Sequence, residues 1–256
     1  MKKIGFEIPV GEMHRFTELM KLVVSEGYGV RLAVKKGMLY FKEVDVAHVC
    51  MVELTLPGLK KTRADVDFAM NISALTSFLK VMNKKDILSI DSIDDKFLHI
   101  QCDDIHKKIG LYNLEDFEIR KTPQLNLKTK FTIDVQKLYK AIKALETITD
   151  HFEIKADANK VILTGESNWN DENIIQREFT QKEKEVVIAK ADDIETSNYS
   201  IEYFLKFIDT LKKQKIEEVT ISFATDNVLE ATFETTCVDD KKLTGKYWLA
   251  PRIEGR

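Results

Sequence analysis

The sequence predicts an α+β fold of two similar domains, each with antiparallel sheets and two helices. Three observations carry that expectation. Four segments place apolar residues at helical spacing, and the short stretches between them alternate apolar and polar residues as half-buried strands do. The order strand, helix, strands, helix, strands then occurs twice along the chain.

Length and composition allow this. The 256 residues are 44% apolar and 32% charged, which suits a soluble globular chain with one large domain or two of about 120 residues. Ten glycines and four prolines leave no room for a long flexible linker. The formal net charge is −3, so any affinity for phosphate must come from segregated charge. Cys50, Cys102 and Cys237 are widely spaced in strand-like sequence and read as reduced, inert thiols of a cytosol-like compartment. The opening MKKIGFEIPVG lacks a signal peptide's apolar run, and nowhere do about 18 apolar residues run together, so an intracellular protein outside the membrane is expected.

In chain order, residues 4–10 alternate as a strand, and Gly11 opens a helix through about Ser25 on the stripe Met13, Phe16, Met20 and Val23. Gly27 and Gly29 end it. Strands are expected at 29–34, 38–41, 48–56 and 65–70. Asn71 or Ser73 then caps a second helix striped by Leu75, Phe78, Leu79 and Met82. Strands at 87–92, 97–101 and 107–112 follow. From 114 to 129 a proline and the lack of any sustained period indicate an extended connector. The expected domains are therefore 1–114 and 130–256, joined by residues 115–129.

Asp134 caps a third helix to Thr147, with Val135, Leu138, Ile142 and Leu145 on one face. Strands are expected at 151–154, 160–164, 173–179, 185–189 and 197–200, then a fourth helix at 201–211 that buries Ile201, Phe204, Ile208 and Leu211. Strands at 218–223, 228–233 and 243–249 close the chain. Phe78-Leu79 corresponds to Phe207-Ile208 129 residues later, and Phe16 to Leu138 122 residues later.

The helix faces turned away from these stripes are basic. Arg15 and Lys21 outweigh Glu18 on the first, with His14 neutral; the second carries Lys80 and Lys84, and the third Lys137, Lys140 and Lys143. On the fourth, Lys206 and Lys213 balance Glu202 and Asp209. The faces sum to +6 in a chain of net −3, so the remainder carries −9. Such segregation follows if the helices share one surface that meets polyphosphate while the strands form an acidic opposite side; helices scattered around a core are the competing arrangement.

Several motifs resemble a known family. The ending Lys246-Tyr247-Trp248-Leu249-Ala250-Pro251-Arg252-Ile253-Glu254 is similar to that of the proliferating cell nuclear antigen sliding clamps, archaeal-type members above all. Asp45-Val46-Ala47-His48-Val49, Asn71-Ile72-Ser73 and Tyr199-Ser200-Ile201-Glu202-Tyr203 resemble the same family, over essentially the full length. The resemblance implies the DNA clamp (processivity) fold: a ring of three subunits, helices lining a central channel and sheets forming the outer wall. It implies a sliding clamp that encircles double-stranded DNA without sequence preference and tethers DNA polymerase, clamp loader, nuclease and ligase through short peptide motifs. A homotrimer is expected, a heterotrimer possible. No cofactor, metal or catalytic residue is expected. The location would be cytoplasmic with the nucleoid in an archaeon, or nuclear in a eukaryote.

The resemblance and the charge pattern together assign the channel to His14, Arg15, Lys21, Lys80, Lys84, Lys137, Lys140, Lys143, Lys206 and Lys213. The fourth helix departs from the family, with Leu205 and Asp209 at positions often basic. Subunits would join by pairing residues 107–113 antiparallel with 173–179 of the next copy, through Lys108, Ile109, Leu111, Ile174, Ile175 and Arg177. A partner pocket would comprise Val44, His48, Val49, Leu125, Leu127, Val228, Trp248, Pro251 and Ile253. Val44 stands where methionine is common and Val228 where proline is common.

Two alternatives remain: a specialised subunit of a heterotrimeric or checkpoint-type clamp, and a metal-dependent DNA-processing enzyme. For the latter, Asp103-Asp104, Asp192-Asp193 and Asp239-Asp240 are the candidate acid pairs, yet each reads as a turn. His14, His48, His99, His106 and His151 show no ligand spacing, and no Walker-type glycine loop, HExxH or CxxC is present.

Overall fold

The computed structural model describes residues 3–92, 94, 96–167, 173–182, 184–191 and 193–252. They form two compact units that are not consecutive in sequence. The first comprises Met1–Val46, Met51–Lys121 and Glu234–Gly245; the second comprises Ala47–Cys50, Thr122–Phe233 and Lys246–Arg256.

In the first unit, β1 (Gly5–Pro9) runs directly into α1 (Val10–Met20). Pro9 offers no capping side chain, so neighbouring carbonyls take the orphan helix donors: Val10 N–H donates to Asp86 O and Gly11 N–H to Lys84 O, both at 2.9 Å. The helix stops at Met20, short of the expected Ser25. Leu22, Val23 and Val24 are all buried, and three consecutive residues cannot share one face of a helix, so the chain turns there.

There follow β2 (Gly29–Lys35), β3 (Met38–Val44), β4 (Cys50–Pro57), β5 (Val66–Asn71), α2 (Ile72–Leu79), β6 (Ile87–Ser92), β7 (Phe97–Cys102) and β8 (Ile105–Tyr112). Asn71 caps α2 by accepting from Ser73 N–H at 2.9 Å. The strands run β1-β6-β7-β8-β5-β2-β3-β4, every neighbour antiparallel. Alternation sends Val30, Leu32, Val34, Leu88, Ile90, Leu98 and Ile100 inward. The helices pack on one another, α1 also against β1 and α2 against β8.

The second unit opens with β9 (Thr129–Asp134), which the sequence reading placed partly in the connector and otherwise passed over. Thr129, Phe131 and Ile133 are buried in alternation with Lys130 and Thr132, a run too short to stand out beside the connector. Then come α3 (Val135–Leu145), capped by Asp134 on Lys137 N–H at 2.7 Å, β10 (His151–Ala156), β11 (Lys160–Glu166), β12 (Ile174–Thr180), β13 (Val186–Ala191), β14 (Glu195–Ser200), α4 (Ile201–Lys213), β15 (Glu218–Phe223), β16 (Leu229–Thr236) and β17 (Lys242–Leu249). One set of strands runs β16-β15-β9-β13 and the other β12-β11-β10-β14. Beneath α4, Phe207 stacks on Tyr247 with centroids 4.2 Å apart, and it also meets Phe204 and Phe233.

The two units repeat one pairing scheme. The series β1-β6-β7 matches β9-β15-β16, and β5-β2-β3-β4 matches β14-β10-β11-β12. Where β13 pairs with β9, the first unit keeps only an isolated bridge between Glu7 and Lys60. Cys50, Cys102 and Cys237 are all buried. Among the described residues no helix is long and apolar enough to cross a membrane.

Candidate nucleic-acid interface and docking site

On the first unit, α1 and α2 bring four of the five expected basic residues together. The half-buried His14 has Nε2 4.0 Å from Glu18 Oε1, and Lys21 Nζ lies 2.5 Å from the same oxygen. Burial lowers the His14 pKa; Glu18 opposes this, while Lys84, Lys21 and Lys80 reinforce it by charge. Glu18 is the acid set among these like charges. Gly11 allows the approach: a Cβ there would lie 3.0 Å from the Lys84 carbonyl oxygen that takes its N–H. Arg15 turns instead to Glu12 Oε2 (3.4 Å) and Thr236 O (3.2 Å).

On the second unit, Lys137 and Lys140 are exposed on α3 and enter no ion pair among the described residues. Lys143 is held by Glu146 at 2.5 Å, a bond that raises its pKa, and Lys213 by Asp209 at 2.6 Å. The exposed Lys206 borders a cleft of about 780 Å³ between α3 and α4, lined also by Tyr139, Lys143, Glu146, Asp150, Leu205 and Asp209. One basic residue escaped the sequence reading. Lys212 holds its Nζ 3.7 Å over the Tyr139 ring, a contact that depends on α3 packing against α4 and so leaves no trace in local spacing.

Both strands expected to join subunits have open edges. The strand β12 ends its sheet order, and β8 meets β5 only through Leu111 and Tyr112. The β7–β8 hairpin bonds odd-numbered residues to β7, as Leu111 N–H to Lys96 O at 2.8 Å continues, which turns the main-chain groups of His106, Lys108 and Gly110 outward. Ile174 is 61% exposed, Arg177 is exposed and bonded to Glu185, and Ile175 and Leu111 are half-buried. Lys108 lies 3.7 Å over the Phe97 ring. Ile109 departs from expectation: pleating turns its side chain into the unit's own core.

Most residues of the expected partner pocket fall in the second unit. Ala250 N–H donates to Val49 O at 2.9 Å, next to His48, which is exposed and left-handed at φ 58°. Arg252 N–H donates to Asn198 O at 2.8 Å, and its guanidinium lies 2.8 Å from Asp150. Bonds from His151 and Arg252 hold the Asp150 carboxyl down at about 2. Leu125, Leu127, Val228 and Pro251 are half-buried. Trp248 needs correction: it is 2% exposed, with its indole N–H bonded to Glu230 at 2.9 Å, so it supports the surface from beneath. Val44 ends β3 in the other unit, and Ile253 lies outside the described residues.

Those of the candidate metal acids that are described do not assemble. Asp103, Asp239 and Asp240 take left-handed turn conformations, and Asp192 lies outside the described residues. Among the described residues no three His, Cys, Asp or Glu side chains form a group able to hold a metal.

No family model matches the chain. The DNA polymerase sliding clamp of Thermoplasma volcanium is 25% identical over 255 residues, covering 98% of this chain and 99% of that protein. The clamp of the same name from Methanocorpusculum labreanum is 28% identical over 223 residues, covering 82% and 84%. Among solved structures, PCNA of A. fulgidus, bound to the C-terminal region of FEN-1, superposes with a TM-score of 0.82 at 19% identity, over 99% of this chain and 100% of that one. PCNA of Thermococcus kodakaraensis gives 0.81 at 19% identity, over 98% and 99%.

Proposed function

We propose that this chain, a member of the proliferating cell nuclear antigen family of DNA sliding clamps, closes with copies of itself into a ring around duplex DNA and tethers replication and repair proteins to it. One observation carries the proposal furthest. In the first unit the paired helices bring His14, Lys21, Lys80 and Lys84 together, and in the second Lys137 and Lys140 are exposed on α3, within a chain of net charge −3 that matches a sliding clamp over 98% of its length.

The chemistry asked of that face is limited. His14, Lys21, Lys80 and Lys84 of one unit, and Lys137 and Lys140 of the other, meet phosphates through mobile charged groups without touching base edges. Contacts of this kind move along any sequence, whereas tight ones would stop the ring. Topology supplies retention: a closed hoop leaves DNA only by opening or by reaching an end. In this reading residues 1–114 and 130–256 are the clamp domains, and the outward main-chain groups of β8 pair with β12 of the next copy. The connector and tail take a short partner peptide by its apolar anchors and its backbone. The chain then carries no catalytic group, and it resides where the chromosome is.

Two measurements test the proposal together. Light scattering should give about three times the 29.5 kDa of one chain. Chain loaded on nicked circular duplex should survive a high-salt wash and be released when that circle is cut. Equal retention on circles and cut circles, or a monomer at every concentration, would end the ring reading.

A further inference from the structure

We infer that Glu195 is a positioning residue for partner docking: its buried carboxylate brackets the foot of the connector to the 224–228 turn, fixing both walls of the docking site. This rests on the docking reading above, because Leu125 and Leu127 stand just before the bracket on one side and Val228 just after it on the other.

Glu195 begins β14 and is 3% exposed. Its Oε2 accepts from both the N–H and the hydroxyl of Thr225, each at 2.6 Å, and its Oε1 lies 3.4 Å from Lys128 Nζ. An ionised carboxylate shut away from water is costly unless its oxygens are satisfied. Here three donors meet it, and they come from two segments far apart in sequence. The Thr225 hydroxyl draws the carboxyl below the usual range, burial opposes this, and the Thr225 N–H and Lys128 add to the lowering.

Each tethered segment needs such a hold. Residues 118–128 adopt no regular secondary structure, so no ladder of hydrogen bonds orders them before β9 begins at Thr129. Lys128 is the last residue before that strand and half exposed, its charge reaching inward to Glu195. On the other side, Thr196 N–H donates to the Thr225 hydroxyl at 3.2 Å, the buried Tyr199 hydroxyl donates to Asn227 O at 2.8 Å, and Val228 N–H donates to the Asn227 side chain at 2.8 Å. One carboxylate therefore ties the end of a strip without regular secondary structure to a stiff turn. A partner segment that lies between walls already held loses less freedom on binding.

The test uses the full chain and Glu195→Gln, which keeps the volume and removes the charge, beside Thr225→Val, which removes only the hydroxyl. Hydrogen exchange would be followed at 122–128 and 224–228, together with the affinity for a synthetic peptide of the FEN-1 C-terminal region and retention on circular DNA. Expected are faster exchange in both segments, about ten-fold weaker peptide binding for Glu195→Gln and less for Thr225→Val, with retention on DNA unchanged. Unchanged exchange in either segment overturns the bracket. Faster exchange with peptide affinity equal to the parent's overturns the positioning role and leaves a purely structural carboxylate. A parent that binds no peptide while Glu195→Gln shows the expected faster exchange overturns the docking reading, and the positioning role with it. If Glu195→Gln fails to fold, Thr225→Val and Lys128→Met are read by the same outcomes.

Discussion

The two units share one scheme of strand pairing, yet their helix pairs treat charge differently. On α1 and α2, His14, Lys21, Lys80 and Lys84 press on one another with Glu18 as the acid among them. On α3 and α4, Lys143 and Lys213 are taken by Glu146 and Asp209, while Lys137, Lys140 and Lys206 are exposed. The pairing scheme repeats while the electrostatics does not. A repeated fold therefore does not repeat a binding surface, because ion pairing depends on single side chains that the sheet leaves free to vary.

The largest effect should come from replacing Lys21, Lys80 and Lys84 together with alanine. Affinity for duplex should fall, and the slope of log affinity against log salt should shrink by roughly 0.9 for each phosphate that the variant leaves unneutralised. Fluorescence anisotropy across a salt series measures this, and an unchanged slope would remove the first unit from the DNA-facing surface. Lys137→Ala with Lys140→Ala should act in the same direction, by a slope change equivalent to about two phosphates. Lys143→Ala with Lys213→Ala should change the slope least, because each lysine already has an acid beside it; a decrease equal to that of the Lys137 and Lys140 pair would show that those ion pairs open on DNA.

The smallest effect is one of pH. The folded pKa of His14 is lowered, so in the free protein its neutral ring contributes stability above the ordinary 6.5 that is lost as pH falls below it. The groups facing the ring are Glu18, Lys84, Lys21 and Lys80. Phosphate set among those cations would favour the imidazolium, so binding should take up a proton. Duplex affinity should then strengthen by less than about ten-fold between pH 7 and pH 5.5, and His14→Gln should flatten the profile. Potentiometric proton counts on mixing check the same point, and no uptake would separate His14 from phosphate.

Much of the scaffold was legible from local pattern. The stripes of Val135, Leu138, Ile142 and Leu145, and of Ile201, Phe204, Ile208 and Leu211, are buried as their spacing requires. Asn71 and Asp134 cap the helices they precede. The misses have particular causes. The burial of Leu22, Val23 and Val24 ends α1 early, and β9 was hidden by its brevity beside an unpatterned connector. Trp248 and Ile109 carry side chains that suit a surface contact as well as a core, and only the pleat decided which way they point.

The sequence alone determined where most elements lie, which face of each helix is apolar and where basic residues concentrate, because those properties follow from neighbours within a turn or two. Tertiary structure alone decided which lysines are neutralised, that Lys212 settles over Tyr139, that β8 and β12 keep open edges, and that Glu195 joins Lys128 to Thr225. These depend on distances between residues tens of positions apart, and such distances exist only once the chain has packed.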